Sequence, residues 1–383
     1  MSTLGTIKHL KNKVEQRENK NILRSLAESW RAFVYVPQQV TATGAHIRDA
    51  IDLKRTMATV VIALLPALLV GMWNVGYQHY LALGQTVDFW AVWGFGARTV
   101  LPIVLVSYAV GMGIEAVMAY WHERDVNECT WVICLLVPLI LPPTVPLWIV
   151  ALDVSFAVLV GKVGFRGIGK NIFNPVALAH IFIWCVFPAY LRGNVWIALA
   201  PNETMVEGFS GVSAWMHTTQ GGELSHYYIT NMLMGWVPGA IGTVSIVAIA
   251  LGGLLLLLTG IANVRIVLSV LLSGFLTGCL FNYVGGSPCM DLPAYYHLVL
   301  GGFAFGAVFV ATDPITSSQT KAGKWLYGWL LGALVMLLRL WPPLSGEAVF
   351  VAILIMNIAA RLIDWYLVQR NIKRRLNRQR VKK

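Results

Sequence analysis

Eighteen or more apolar residues in succession leave a chain few options, because such a run, wound as a helix, matches the hydrocarbon core of a bilayer. Ten apolar runs of about that length recur here, at roughly 56–76, 99–121, 129–145, 146–162, 175–191, 238–260, 264–284, 296–312, 324–341 and 347–368. Pro142, Pro143 and Pro146 blur the boundary between the third and the fourth. Of the 383 residues, 57% are hydrophobic and 12% charged, against about half and about a quarter in an ordinary soluble domain. The expected fold is all-α: a polytopic membrane protein of about ten transmembrane helices.

Charge orients it. Ten of the 29 Lys and Arg precede Thr56 and eight follow Val368, a placement that suits anionic lipid headgroups better than nucleic acid. With the N-terminus inside, the inner loops collect Arg124, Lys162, Arg166, Lys170, Arg265, Lys321 and Lys324, and the outer loops hold Arg98, Arg192 and Arg339. An even number of spans puts both termini in the cytoplasm. A long polar segment precedes the first apolar run, so no cleaved signal peptide is expected. The chain then divides into an N-terminal segment (1–55), a first five-helix half (56–191), an outer loop (192–237), a second five-helix half (238–368) and a basic tail (369–383). Within the first segment, Ile22, Leu26, Trp30 and Phe33 predict an amphipathic helix over 19–34. The halves would run in opposite directions as inverted repeats, and Trp73-Asn74-Val75-Gly76 and Phe281-Asn282-Tyr283-Val284-Gly285 both end an apolar run.

Ionisable groups inside a bilayer are costly and therefore candidates for function. Glu115 follows Gly111-Met112-Gly113, where small residues admit a close neighbour, and Asp153 lies in the middle of the fourth run. Both are candidate cation or proton-handling groups. Asp364, near the inner end of the last run, is either a third or an interfacial acid paired with Arg361 or Lys373. Asn171 and Asn174, after a glycine-rich inner loop, are spaced so that both amides could meet one flat heterocycle at a helix start, the alternative being a capped loop. Thr312-Asp313-Pro314 and the hydroxyls after it read as a turn and a cap. The five cysteines form no Cys-x-x-Cys pair, no metal site is expected, and no hydrolytic motif occurs. Any chemistry must come from a bound cofactor.

With those residues in view, the chain resembles the B subunit of the sodium-translocating NADH:quinone oxidoreductases and, more distantly, the D subunit of Rnf-type complexes. The likeness runs through His46–Arg55, Gly169–Pro175, Gly301–Phe309, Ala311–Pro314 and Asn371–Leu376. The N-terminal extension favours the sodium-pump subunit. The resemblance implies a subunit of a six-membered complex in the bacterial inner membrane, inactive alone, that relays electrons through flavins to ubiquinone or another quinone and is coupled to Na+ translocation. It also implies an FMN joined through its phosphate to a hydroxyl on the outer side by a flavin transferase. The family's D-G-x-S-G-A-T stretch reads here Glu207-Gly208-Phe209-Ser210-Gly211-Val212-Ser213, with Ser213 as the anchor and Ser210 and Gly211 beside it. A riboflavin is implied at Asn171 and Asn174, quinone near Gly111 and Met112, and cation uptake at Glu115 and Asp364. Met112 stands where the family has a second Gly. Two rival readings are an Rnf-type ferredoxin:NAD subunit and a secondary transporter without redox cofactors.

Overall fold

The computed structural model describes residues 53–122, 126–165, 169–200, 203–206, 211–219, 228–342 and 344–381. The expected helix over 19–34, together with Arg124, Arg166 and Glu207–Ser210, lies outside them. Among the described residues every regular element is helical. The helices are α1 (Leu53–Ala82), α2 (Phe89–Trp121), α3 (Cys129–Ile140), α4 (Leu147–Phe156), α5 (Pro175–Val186), α6 (Ala214–Thr219), α7 (Ile229–Met234), α8 (Ile246–Leu258), α9 (Val264–Val284), α10 (Pro288–Asp291), α11 (Ala294–Val299), α12 (Phe303–Phe305), α13 (Lys321–Arg339) and α14 (Ala348–Val381). Helix α4 runs on through a π turn, Ala157–Lys162, and α12 through another, Gly306–Val310.

This is a polytopic membrane protein. Among the described residues five helices are long and apolar enough to cross a bilayer: Lys54–Ala82, Phe89–Trp121, Leu147–Phe165, Val264–Val284 and Ala348–Arg378. Their outward faces carry large apolar side chains such as Ile62, Leu105, Leu272 and Leu362, and Trp90, Trp121 and Tyr283 stand exposed near helix ends. That distribution matches lipid contact with aromatic residues at the interfaces.

Four of the ten expected runs are not full-length helices. Helix α3 stops at Ile140 ahead of Pro142 and Pro143, and α5 stops at Val186 ahead of Pro188. Helix α8 begins only at Ile246, capped by the Ser245 hydroxyl. The run 296–312 breaks at Gly301 and Gly302, whose φ values of 62° and 66° lie in the left-handed region. A twelve-residue helix spans about 18 Å, short of a hydrocarbon core of about 30 Å. Irregular backbone at such depth must be buried in protein. Here it pairs with itself: Gly242 N–H donates to Leu139 O (2.7 Å) and Ile241 N–H to Leu141 O (3.2 Å). Helix α1 continues past Gly76 to Ala82 whereas α9 stops at Val284, so Asn74 and Asn282 do not mark equivalent helix ends.

Glycines seat the long helices on one another. A Cβ on Gly96 would overlap the Met72 carbonyl, and one on Gly76 the Val92 carbonyl, so α1 and α2 touch backbone to backbone. One continuous core links both halves, from Leu64 on α1 to Ile353 on α14. A second, smaller cluster holds the loop ahead of the second half: Trp215, Met232 and Val237 pack with Cys289, Tyr296 and Leu300.

Candidate functional site

The short helices border two cavities, called inner and outer after the charge-based orientation. Asn171, Asn174, Thr312 and Asp313 line the inner one, with Ile133, Leu136 and Phe309 as apolar walls. Trp184, Arg192, Trp196, Ser213 and Trp215 line the outer one, together with His180, Glu347 and the Gly301-Gly302 break. The same two helices separate them. Helix α5 presents Val176 to the inner cavity and His180 to the outer; α3 presents Leu136 to the inner and Ile140 to the outer. In each helix four residues, or roughly 6 Å of axis, separate the two. The partition is about one helical turn thick.

In the inner cavity the expected pairing of the two amides is only half realised. Both line it, but Asn174 Oδ1 caps α5, accepting from Val176 N (3.0 Å) and Ala177 N (3.2 Å). Its NH2 group reaches Asp313 Oδ2 and Val310 O at 3.5 Å each, long contacts that a better acceptor could replace. Asn171 closes its own turn through Gly169 N and Phe173 O, both at 3.2 Å. Its carbonyl accepts from Arg361 Nη2 (2.7 Å), so Arg361 is not the partner of Asp364. Asp313 does form the expected turn, accepting from Thr316 Oγ1 (2.8 Å) and Ile315 N (3.3 Å). It also places a carboxylate on the cavity wall, which the turn reading did not foresee.

In the outer cavity Ser213 opens α6: its Oγ accepts from Met216 N (3.3 Å) and its carbonyl from His217 N (3.0 Å). Gly211 is packed close, since a Cβ there would meet Met205 Cε at 3.0 Å and Asn194 O at 3.1 Å. Trp215, two residues beyond Ser213, is buried under the Arg339 guanidinium, 4.2 Å from its ring. Arg192 lies 4.9 Å over the Trp184 ring.

The expected cation residues have different surroundings. Glu115 is buried and ion-paired at 2.5 Å with Lys162, which also donates to Thr130 Oγ1. Lys162 is therefore not an inner-loop cation: the π turn that ends α4 carries it into the protein. Glu115 Oε1 further accepts from Asn127 N (3.1 Å). Asp364 takes four hydrogen bonds, from Ser318 Oγ (2.7 Å), Gln319 N (2.7 Å), Thr320 N (3.0 Å) and Thr320 Oγ1 (2.6 Å), and so ties α14 to the start of α13. Asp153 is fully buried, and neither carboxylate oxygen has a hydrogen-bond partner. Gly111 and Met112 are buried in helix packing, Gly111 because a Cβ there would strike Cys134 Sγ and Val154 Cγ1.

The model of the NQR2, RnfD, RnfE family matches residues 40–373. The chain belongs to this family. Among its relatives, proteins named as the B subunit of Na(+)-translocating NADH-quinone reductase from Stutzerimonas stutzeri and Azotobacter vinelandii are 41% and 39% identical to it, each over 92% of this chain and 94% of theirs. The protein of the same name from Chromohalobacter salexigens is 39% identical over 92% of this chain and 91% of its own.

In this member of the NQR2, RnfD, RnfE family the two cavities offer different donor sets. The outer cavity combines three tryptophans, the Arg192 guanidinium and the Ser213 hydroxyl. The inner cavity combines side-chain amides with apolar walls. Sequence reading missed His180, Glu347 and Arg339. Each carried a faint signal, an ionisable group inside or at the edge of an apolar run, but Arg339 was counted as an outer-loop charge and the other two passed unremarked.

Proposed function

We propose that this chain is the membrane subunit of a sodium-translocating NADH:quinone reductase, relaying electrons between a flavin in the outer cavity and one in the inner cavity on the way to quinone. The relatives' names support the sodium-pumping reductase, and the observation that carries the relay is the partition of a single helical turn between two cavities. When bound, the flavins supply the reversible electron-accepting chemistry; the chain positions and insulates them.

Each residue then has a task. Ser213 anchors the outer FMN through its phosphate, Arg192 offsets the phosphate charge, and Trp184, Trp196 and Trp215 flank the ring. The Asn174 NH2 group, with Asn171, Thr312 and Asp313, orients riboflavin in the inner cavity. Gly111 and Met112 would shape a quinone site on α2. Glu115 and Asp364 remain the candidate sodium ligands, each needing to give up a partner it now holds, Lys162 for Glu115 and the α13 cap for Asp364. As the relatives' names describe one subunit of a reductase, the chain works within a complex of five further subunits in the bacterial inner membrane, and a flavin transferase loads Ser213.

The intact mass of the purified chain tests the anchor. An FMN-sized addition is expected, absent in Ser213→Ala and kept in Ser213→Thr, which preserves the hydroxyl. An unmodified wild-type chain taken from an active complex contradicts it.

A further inference from the structure

Three ionisable side chains in or beside the partition have no part in the relay just described. Asp153 on α4 is 0% exposed, and both its oxygens lack a hydrogen-bond partner. His180 on α5 directs Nε2 to Glu347 Oε2 at 2.6 Å, while its Nδ1 is without a hydrogen-bond partner. His180 and Glu347 line the outer cavity, and α4, which carries Asp153, packs on α5, which carries His180, with Phe156 stacked on Phe182 at 3.9 Å, so that the Asp153 carboxyl and the His180 ring act on each other electrostatically.

Charge counting narrows what this cluster can be. An ionised carboxylate without a hydrogen-bond partner in a dry interior is held only by a neighbouring positive charge, so an Asp153 opposed by a protonated His180 alone is poised to take a proton when further negative charge arrives. With His180 protonated and both acids ionised, the cluster carries one uncompensated negative charge. One proton removes it. Other elements packed on α4 do not supply a counter-charge: α2 brings Tyr108, which donates to Trp131 O, and Glu115, already paired with Lys162 nine residues further along α4; α3 brings Cys134. A sodium ion is a poorer fit, because it needs several oxygen ligands, and the cluster adds to Asp153 only an imidazole and the carboxylate that it pairs with.

We propose that Asp153, His180 and Glu347 form a buried proton site that gains one proton when negative charge arrives in the outer cavity and releases it when that charge crosses the partition. The proton comes from water on the cavity side. It forms one O–H bond on the Asp153 carboxyl, with no change of oxidation state in the chain. Glu347 is the cavity-facing end, and His180 couples it to Asp153. The proposal rests on the reading of the outer cavity as a redox site, and it gives that site electrostatic compensation without a mobile metal cation.

Infrared difference spectroscopy of the assembled complex, oxidised minus reduced, tests it. Reduction is expected to raise a carboxylic-acid C=O band that shifts in deuterated water and is lost in Asp153→Asn. In Glu347→Gln, which keeps the Asp153 carboxyl and removes the cavity-facing acid, the difference band is expected to disappear. A wild-type spectrum without an Asp153-dependent acid band, or one in which sodium instead shifts a carboxylate band of Asp153, overturns the proposal. Ser213→Ala separates the two ideas. An Asp153 band that still responds there upholds the proton site and overturns the outer-flavin reading. A wild-type difference spectrum without that band, beside a mass-confirmed flavin on Ser213, does the reverse.

Discussion

Lys162→Met is expected to destabilise the protein by about 3–5 kcal/mol, the usual cost of stranding one member of a buried ion pair. The side chains of Lys162 and Glu115 are 4% and 7% exposed and 2.5 Å apart, so removal of the ammonium leaves the carboxylate desolvated. Thr130 loses its donor as well. Glu115→Gln should cost less, because its single amide oxygen still accepts from one of the two donors that the carboxylate serves, Lys162 or Asn127 N–H. The double variant, Glu115→Gln with Lys162→Met, should recover most of the loss, since replacing both members of such a pair is often near neutral. Thermal unfolding of the four proteins in detergent reads the cycle directly. A Lys162→Met protein as stable as wild type would mean that Glu115 is already neutral or otherwise compensated.

Arg339→Ala is expected to be at least as damaging, for a different reason. The guanidinium is 2% exposed and donates to His297 O (2.5 Å), Leu300 O (2.8 Å) and Gly301 O (3.5 Å). These carbonyls belong to the segment where the chain breaks its helix, so no helical N–H replaces the arginine. Leaving two or three of them unsatisfied costs about 1–3 kcal/mol each. The same group stacks on Trp215 at 4.2 Å and on Phe303 at 5.4 Å, which links the break to the segment bearing Ser213. Arg339→Lys should not rescue, because one ammonium cannot span a fork of carbonyls and keep the planar stack. The expected readouts are a large fall in melting temperature, a changed Trp emission and less flavin on Ser213. A wild-type melting temperature in Arg339→Ala would refute the clamp.

That the chain is a helical, polytopic membrane protein was readable from the apolar runs alone, because hydrocarbon thickness sets a minimum length that few other folds share. How it crosses was not. The prolines after α3 and α5 were visible, yet composition does not say that Leu141 and Ile241 exchange a backbone hydrogen bond about a hundred residues apart in sequence. Glycines at 301 and 302 looked like part of a matching stretch and are instead the break itself. Among the site residues, Asn171, Asn174 and Ser213 were found by motif and do line cavities. Their partners came from distant segments: Asp313 to Asn174, Arg361 to Asn171, and Arg339 to Trp215, two residues past Ser213. Lys162 misled because a basic residue near the end of an apolar run counts as a loop charge until a π turn folds it inward. Such pairings depend on packing, which one sequence does not display.

The proposed relay requires two flavins held independently on either side of one helical turn. The direct measurement is flavin stoichiometry per chain in purified complex, separated into flavin that stays on the denatured polypeptide and flavin released from this subunit. One of each is expected in wild type; Ser213→Ala should lose the attached one alone, and Asn171→Ala should weaken or lose the released one alone. If the active wild-type complex holds no flavin on this chain, or if Ser213→Ala empties both cavities together, the two-cavity relay is contradicted.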